Sequence, residues 1–221
     1  MKTKTIVFSG LAVWLVLYAY NALSSDVAEK VIAKEITGVV VEKATGKPVA
    51  GAIVAIRFER YNTGHGSPAC FRSIAAETDA NGRFRFEPWT QESTRANFFL
   101  GQITAYKAGY DMPQDPAEDI RPSRRSLFGI RFSDNLHLPK TERRIELLQR
   151  SDTEQKRMNE LTRVMTWYEC GAVEPNNIKL LALAIREEIL ASPVADKRLD
   201  SNPSSSTSRS YIEYIMKRFD R

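Results

Sequence analysis

Apolar and polar positions alternate with a period of two over the middle of this chain and with a helical period towards its end. Residues 36–42 (ITGVVVE) and 52–60 (AIVAIRFER) are rich in β-branched side chains; in the second stretch Ile53, Ala55 and Arg57 lie opposite Val54, Ile56 and Phe58. With Gly46 and Pro48 as punctuation, they predict two strands around a turn. Further strands are predicted at 71–78, at 83–86, where Phe84 and Phe86 alternate with Arg83 and Arg85, and at 102–107. Residues 127–132 read as an added strand, and 135–138 with 143–148 (RRIELL) as the last strand or pair. Residues 61–69 (YNTGHGSPA) have no periodicity and read as a loop, as does the proline-rich stretch 111–125, which is longer than most connections. The sum is a β-sandwich.

The period changes at Ser151. Ser151 and Glu154 have the spacing of a capping box, and Met158, Leu161, Met165 and Tyr168 follow on one helical face, which predicts a helix ending near Gly171. Pro175 marks a second start, and Ile178, Leu181, Ala182, Ile185 and Ile189 form an apolar stripe up to Ser192-Pro193. The two make a helical hairpin at 151–192. Residues 193–221 read as a flexible linker, serine-rich at 201–210, and a short basic C-terminal helix at 211–221 (YIEYIMKRFDR), expected to dock on the hairpin; the alternatives are a membrane-surface or partner helix, or fraying.

Ahead of the sandwich, Lys2 and Lys4 precede an uncharged run at 6–20 that extends to Leu23. Residues 1–24 are therefore a signal peptide or a signal anchor, either cut near Ala22-Leu23-Ser24 or retained with membrane contact through 6–23. Residues 25–34 are left as a polar connector and 35–150 as the sandwich. The protein is expected outside the cytoplasm, periplasmic or single-pass anchored, with the C-terminal part beyond the membrane. The net charge of +5 includes the two leader lysines, and the remaining basic residues alternate with acids and serines, so no nucleic acid is expected as a partner. An oxidising compartment permits a disulfide between the chain's two cysteines, Cys70 and Cys170.

The stretch 77–86 (ETDANGRFRF) offers two readings. As a cation loop, Glu77, Asp79 and Asn81 would be ligands, but the position for the bidentate acid is Pro88. As a hairpin turn, Asp79 and Asn81 bond their own backbone and Gly82 takes a positive φ. The turn is the expectation, with no cofactor and no metal.

Together with this turn, Gly38-Val-Val-Val41, Gly46-Lys-Pro48, Gly51-Ala-Ile-Val54, Thr78-Asp-Ala-Asn-Gly-Arg-Phe84 and Ala108-Gly-Tyr110 stand in an order that resembles the carboxypeptidase regulatory-like (transthyretin-like, prealbumin-like) β-sandwich family. The resemblance covers about residues 35–110 and implies a mainly β protein, a seven-strand Greek-key sandwich, here followed by the helical hairpin. Members of similar fold with known chemistry fit poorly. Transthyretin-like hydrolases of purine breakdown carry several histidines and a different C-terminus. Intradiol dioxygenases use two tyrosines and two histidines, the histidines close together on one strand, whereas His65 and His137 lie far apart.

The resulting expectation is a non-enzymatic, exported binding or scaffolding module with a cell-envelope protein partner and a candidate binding loop at His65, Gly66 and Ser67. A membrane-anchored structural or assembly factor is the alternative. A small hydrolase using the His65 and Cys70 loop is a third reading, since no nucleophile signature accompanies those residues.

Overall fold

The computed structural model describes residues 29–61, 69–93, 98–113, 118–120, 126–127, 130–131, 135–138, 140–151, 153–168, 178–196 and 207–219. The protein is mainly β, with strands β1 (Glu29–Ala33), β2 (Ile36–Glu42), β3 (Ile53–Tyr61), β4 (Ala69–Glu77), β5 (Arg83–Phe86), β6 (Trp89–Ser93), β7 (Phe98–Tyr106) and β8 (Tyr110–Asp111). β9 (Glu118–Ile120), β10 (Ser126–Leu127), β11 (Ile130–Arg131), β12 (Asn135–Leu138) and β13 (Thr141–Gln149) follow. Three helices close the chain: α1 (Glu154–Tyr168), α2 (Lys179–Ala191) and α3 (Ser208–Phe219).

Two four-stranded sheets, β5-β2-β13-β8 and β4-β3-β7-β9, enclose the sandwich core. β2 and β13 run parallel, and Val40 faces the core beside its register partner Ile145. In β5 the alternation of Phe84 and Phe86 with Arg83 and Arg85 is resolved, aromatics inward and arginines outward. A three-stranded sheet, β12-β1-β6, repeats the order and directions of β13-β2-β5, so each of its strands continues the corresponding strand across a short break. Pro88, in the break between β5 and β6, cannot donate to a ladder, which suits it to that joint.

β3 explains the third layer. Val54, Ile56 and Phe58 point into the sandwich, while Ile53 and Ala55, on the opposite face, pack with Tyr106 of β7 against Met158, Leu161, Leu181 and Ile185 of the helices. Both faces of β4-β3-β7 are therefore covered, and β3 is apolar on both sides as a doubly buried strand should be.

Several expectations are corrected. Residues 29–33 form β1 rather than part of a polar connector, because Val31 and Ala33 are buried in the sandwich core. The proline-rich stretch 111–125 contains β9, paired with β7, and the added strand at 127–132 is a two-residue hairpin of β10 and β11. The helix cap lies two residues later than the capping-box spacing predicts: Thr153 Oγ1 accepts the Lys156 N–H at 3.4 Å, its carbonyl accepts the Arg157 N–H at 3.0 Å, and Glu154 pairs with Arg150 instead. The hairpin is part of a three-helix layer, since Ile212, Ile215 and Phe219 of α3 are buried with α1 and α2. Ser208, at the start of α3, bonds Thr162 of α1 through their hydroxyls at 3.1 Å, and the Arg209 N–H reaches the Ala195 carbonyl, also at 3.1 Å. Residues 193–196 and 207–219 pack with the helices, as the expected docking of the C-terminal helix requires, and 197–206 lie outside the described residues.

Among the described residues no helix is long and apolar enough to cross a membrane. The leader 1–24 lies outside them.

Candidate functional site

Two places gather charged groups. The first joins the sheet to the helices. Arg157 of α1 is fully buried; its Nε and Nη2 donate to the two carboxylate oxygens of Glu188 on α2 at 2.8 and 3.2 Å, and its Nη1 donates to Glu160 at 3.1 Å. The Tyr106 hydroxyl donates to Glu188 at 2.7 Å and also lies 3.1 Å from the Ala184 carbonyl, while the guanidinium lies 5.6 Å from the Tyr106 ring centroid. Arg150 reaches Glu188 at 3.6 Å and pairs with Glu154.

The electrostatics follow from burial and pairing. Desolvation, then the hydrogen bond to Glu188, pushes the Tyr106 phenol well above its ordinary value of 10.0. Burial alone would lower the Arg157 pKa, but the hydrogen bonds and charges of Glu188 and Glu160 outweigh it and raise it. Hydrogen bonds from Arg150 and Ser192 hold the Glu154 carboxyl below the usual range. Every one of these groups is engaged by a structural partner, so the cluster is a lock between layers.

Tyr106→Phe tests this lock. The variant is expected to lose about 2 kcal/mol, the worth of a hydrogen bond to a charged group. A raised phenol pKa contributes stability that is fully present below about 10 and is lost as the pH climbs above it towards the folded value. That alkaline loss should be smaller in the phenylalanine variant, as read by urea unfolding between pH 8 and 11.

The second place is a groove of about 350 Å³ on the exposed face of β5-β2-β13-β8, lined by Lys43, Asp111, Pro113, Arg144, Glu146 and Leu148, among others. β13 puts Ile145 and Leu147 in the core, which turns Arg144, Glu146 and Leu148 outward. Arg144 and Glu146 pair at 3.5 Å, and Leu148 is 50% exposed. β8 meets β13 only at Leu148 and Gln149. It is held there by the Arg150 N–H on the Gly109 carbonyl at 3.0 Å. Glu42 contributes too, accepting from Gln149 at 2.9 Å and from the Tyr110 hydroxyl at 3.5 Å. Asp111 Oδ1 is buried beside this groove with no hydrogen-bond partner among the described residues.

The residues expected to form a site are distributed otherwise. His65, Gly66, Ser67 and Cys170 lie outside the described residues, and of His137 only the backbone is described, paired in β12 with Ile32. Cys70 opens β4 with its Sγ 3.9 Å from Ser73 Oγ, and no cysteine is free among the described residues. At the turn, Asp79 Oδ1 accepts the N–H groups of Asn81 and Arg83, both at 2.8 Å, and Gly82 has φ of 69°. These bonds spend that carboxylate oxygen on the backbone. Among the described residues no three His, Cys, Asp or Glu side chains converge as metal ligands.

Sequence reasoning missed the lock and the groove. Arg157 precedes Leu161 and Met165 at intervals of four on the apolar stripe of α1, and a charge in that place is the signal of a buried ion pair. The alternation of charge and aliphatic residues in β13 was legible, but its short pairing with β8 was not.

No family model matches this chain. No curated protein matches it either. Among solved structures it is similar to 3-chlorocatechol 1,2-dioxygenase from Rhodococcus opacus, at 13% identity and TM-score 0.29, over 57% of this chain and 62% of that one. It is similar to a DUF3823 family protein from Bacteroides uniformis at 13% identity and TM-score 0.27, over 52% and 42%. An alternative pilotin from the type II secretion system of Vibrio cholerae gives 11% identity and TM-score 0.29, over 55% and 99%. The chain thus spans less than two thirds of the first two proteins, and likenesses of this strength assign no activity.

Proposed function

We propose that this chain is an exported, non-enzymatic binding or scaffolding module of the cell envelope, built on a carboxypeptidase regulatory-like sandwich. The observation that carries the reading is the division of labour between its two charged clusters. Tyr106 and Arg157 are consumed in holding helices to sheet, whereas Lys43, Arg144 and Glu146 line a shallow groove beside β13. Such a body presents a rigid surface. Export is supported by the charge-free run at 6–20 behind Lys2 and Lys4. Cys70 and Cys170 are the two cysteines of the chain. Their pairing would tie the sandwich to the helical layer and restrict the unfolded chain by about 4 to 5 kcal/mol in the chain-entropy model.

The test places a photo-crosslinking residue at Lys43, on the groove, or at Arg83, on β5 across the same sheet, in cells that make the protein naturally. A discrete adduct from position 43, on an extracytoplasmic chain whose two thiols resist alkylation until reduced, is the expected result. A cytoplasmic chain with two freely alkylated thiols and no adduct would overturn the reading.

A further inference from the structure

The turn between β4 and β5 contains a chemically reactive step, since Asn81-Gly82 is the only Asn-Gly pair in the chain. A glycine has no side chain to shield its nitrogen, so that nitrogen can reach the side-chain amide of the asparagine before it. The Gly82 nitrogen gives up its proton to hydroxide and bonds to Asn81 Cγ. The bond from Cγ to Nδ2 breaks, and ammonia leaves after taking a proton from water. Water then opens the five-membered imide. Opening at Cγ leaves an aspartyl residue. Opening at the main-chain carbonyl carbon of Asn81 leaves an isoaspartyl residue, in which the chain runs through the side chain and is one methylene longer. The net change is asparagine and water to a carboxylic acid and ammonia.

In the folded turn the participants are engaged. The Gly82 N–H donates to the Asp79 carbonyl at 2.9 Å, so the proton that must leave is already held. The Asn81 and Arg83 N–H groups both donate to Asp79 Oδ1 at 2.8 Å, and the Asp79 N–H donates to the Arg83 carbonyl at 2.9 Å. On its other side Gly82 is pinned to β2. Its carbonyl accepts the Val40 N–H at 2.8 Å, and a Cβ at position 82 would lie 2.5 Å from the Val40 carbonyl oxygen and 3.0 Å from the Val49 nitrogen. A methylene inserted before Gly82 therefore has no room while these bonds stand.

We propose that Asn81 is a modification site that its own turn holds closed. In the folded protein the reaction is suppressed; when the turn opens, water converts Asn81 to aspartyl and isoaspartyl residues, and the isoaspartyl form cannot rebuild the turn. The aspartyl form can, because its backbone is unchanged and position 81 is exposed. The chain thus keeps a covalent record of the time it spends with this turn open.

The experiment incubates the full chain at mildly alkaline pH, folded and in concentrated urea. Mass spectrometry follows the peptide spanning Gly82, and an isoaspartyl-specific methyltransferase reads the isoaspartyl content. The folded protein should react at least tenfold more slowly than the chain in urea. Asp79→Ala removes the acceptor of two backbone N–H groups and should speed the folded-state reaction roughly tenfold, with no change in urea. Asp79→Asn keeps an acceptor oxygen and should stay within about threefold of the parent. After dilution from urea, isoaspartyl chains should unfold at a lower midpoint than Asn81→Asp, which carries the aspartyl product. Equal rates in the folded protein and in urea, or a folded-state rate that Asp79→Ala leaves unchanged, overturn the proposal. An isoaspartyl chain with the midpoint of Asn81→Asp overturns it too. Should Asp79→Ala fail to fold, the comparison with urea and the two midpoints still decide.

Discussion

Replacing Glu188 by alanine should cost about 3–5 kcal/mol of folding free energy, the range for removing one partner of a buried ion pair. Arg157 has no exposed surface, and Glu188 accepts hydrogen bonds from both its Nε and its Nη2. The truncation would therefore strand a guanidinium in the interior and take the acceptor from Tyr106. Exchanging both partners for apolar residues, Arg157→Met with Glu188→Leu, should restore a large part of the loss, because no buried charge then lacks a partner. Urea unfolding of the two variants and the parent measures this. A loss below about 1 kcal/mol for Glu188→Ala would place the pair in the class of exposed ion pairs and contradict the burial.

Gly38→Ala should damage the sandwich although it adds a single methyl group. A Cβ at position 38 would lie 2.3 Å from the Arg143 carbonyl oxygen and 2.5 Å from Cζ of Phe84. The ring can turn, but the carbonyl belongs to β13, the parallel partner of β2, so relief requires the two strands to separate. Overpacking of this kind costs about 1–3 kcal/mol, and the upper end applies because the obstacle is backbone. Gly46→Ala is the control. Its φ is 69° but a Cβ would meet nothing within 4 Å, so only the conformational cost of about 1 kcal/mol remains. Equal midpoints for the two variants in thermal unfolding would show that the close approach at Gly38 does not constrain the sheet.

The sandwich strands were legible because their physics is local. Phe84 and Phe86 alternate with arginines, Gly82 sits where the turn needs a positive φ, and Ile53 to Phe58 advertise a buried strand. β1 was hidden in EKVIA, a segment too polar to read as core until a partner covers Val31 and Ala33. β6 was hidden by Trp89-Thr-Gln-Glu-Ser93, whose strand character comes from pairing with β1. The lock was harder still. Three of its members, Tyr106, Arg157 and Glu188, come from three elements, and no pattern within one element shows that they meet. At Ser151 the motif itself misled: Thr153 competes for the same cap, and the Arg150 to Glu154 ion pair decides the register.

The parallel union of β2 and β13 also governs the order in which the molecule can assemble. The hairpins of β3 with β4 and the turn at Gly82 draw on neighbours in the chain, but β2 must wait for a partner about a hundred residues downstream. Loop closure over that distance comes before any reward from the contact, so the closing of this sheet should be the slow step of folding. As the chain is synthesised, β2 is exposed on that side until nearly two thirds of the polypeptide has appeared. The helices come later still, and until they arrive Ile53 and Ala55 have nothing to cover them. A nascent chain of this topology therefore carries two unfinished surfaces at once, and it is the last seventy or so residues that make the first hundred and fifty soluble.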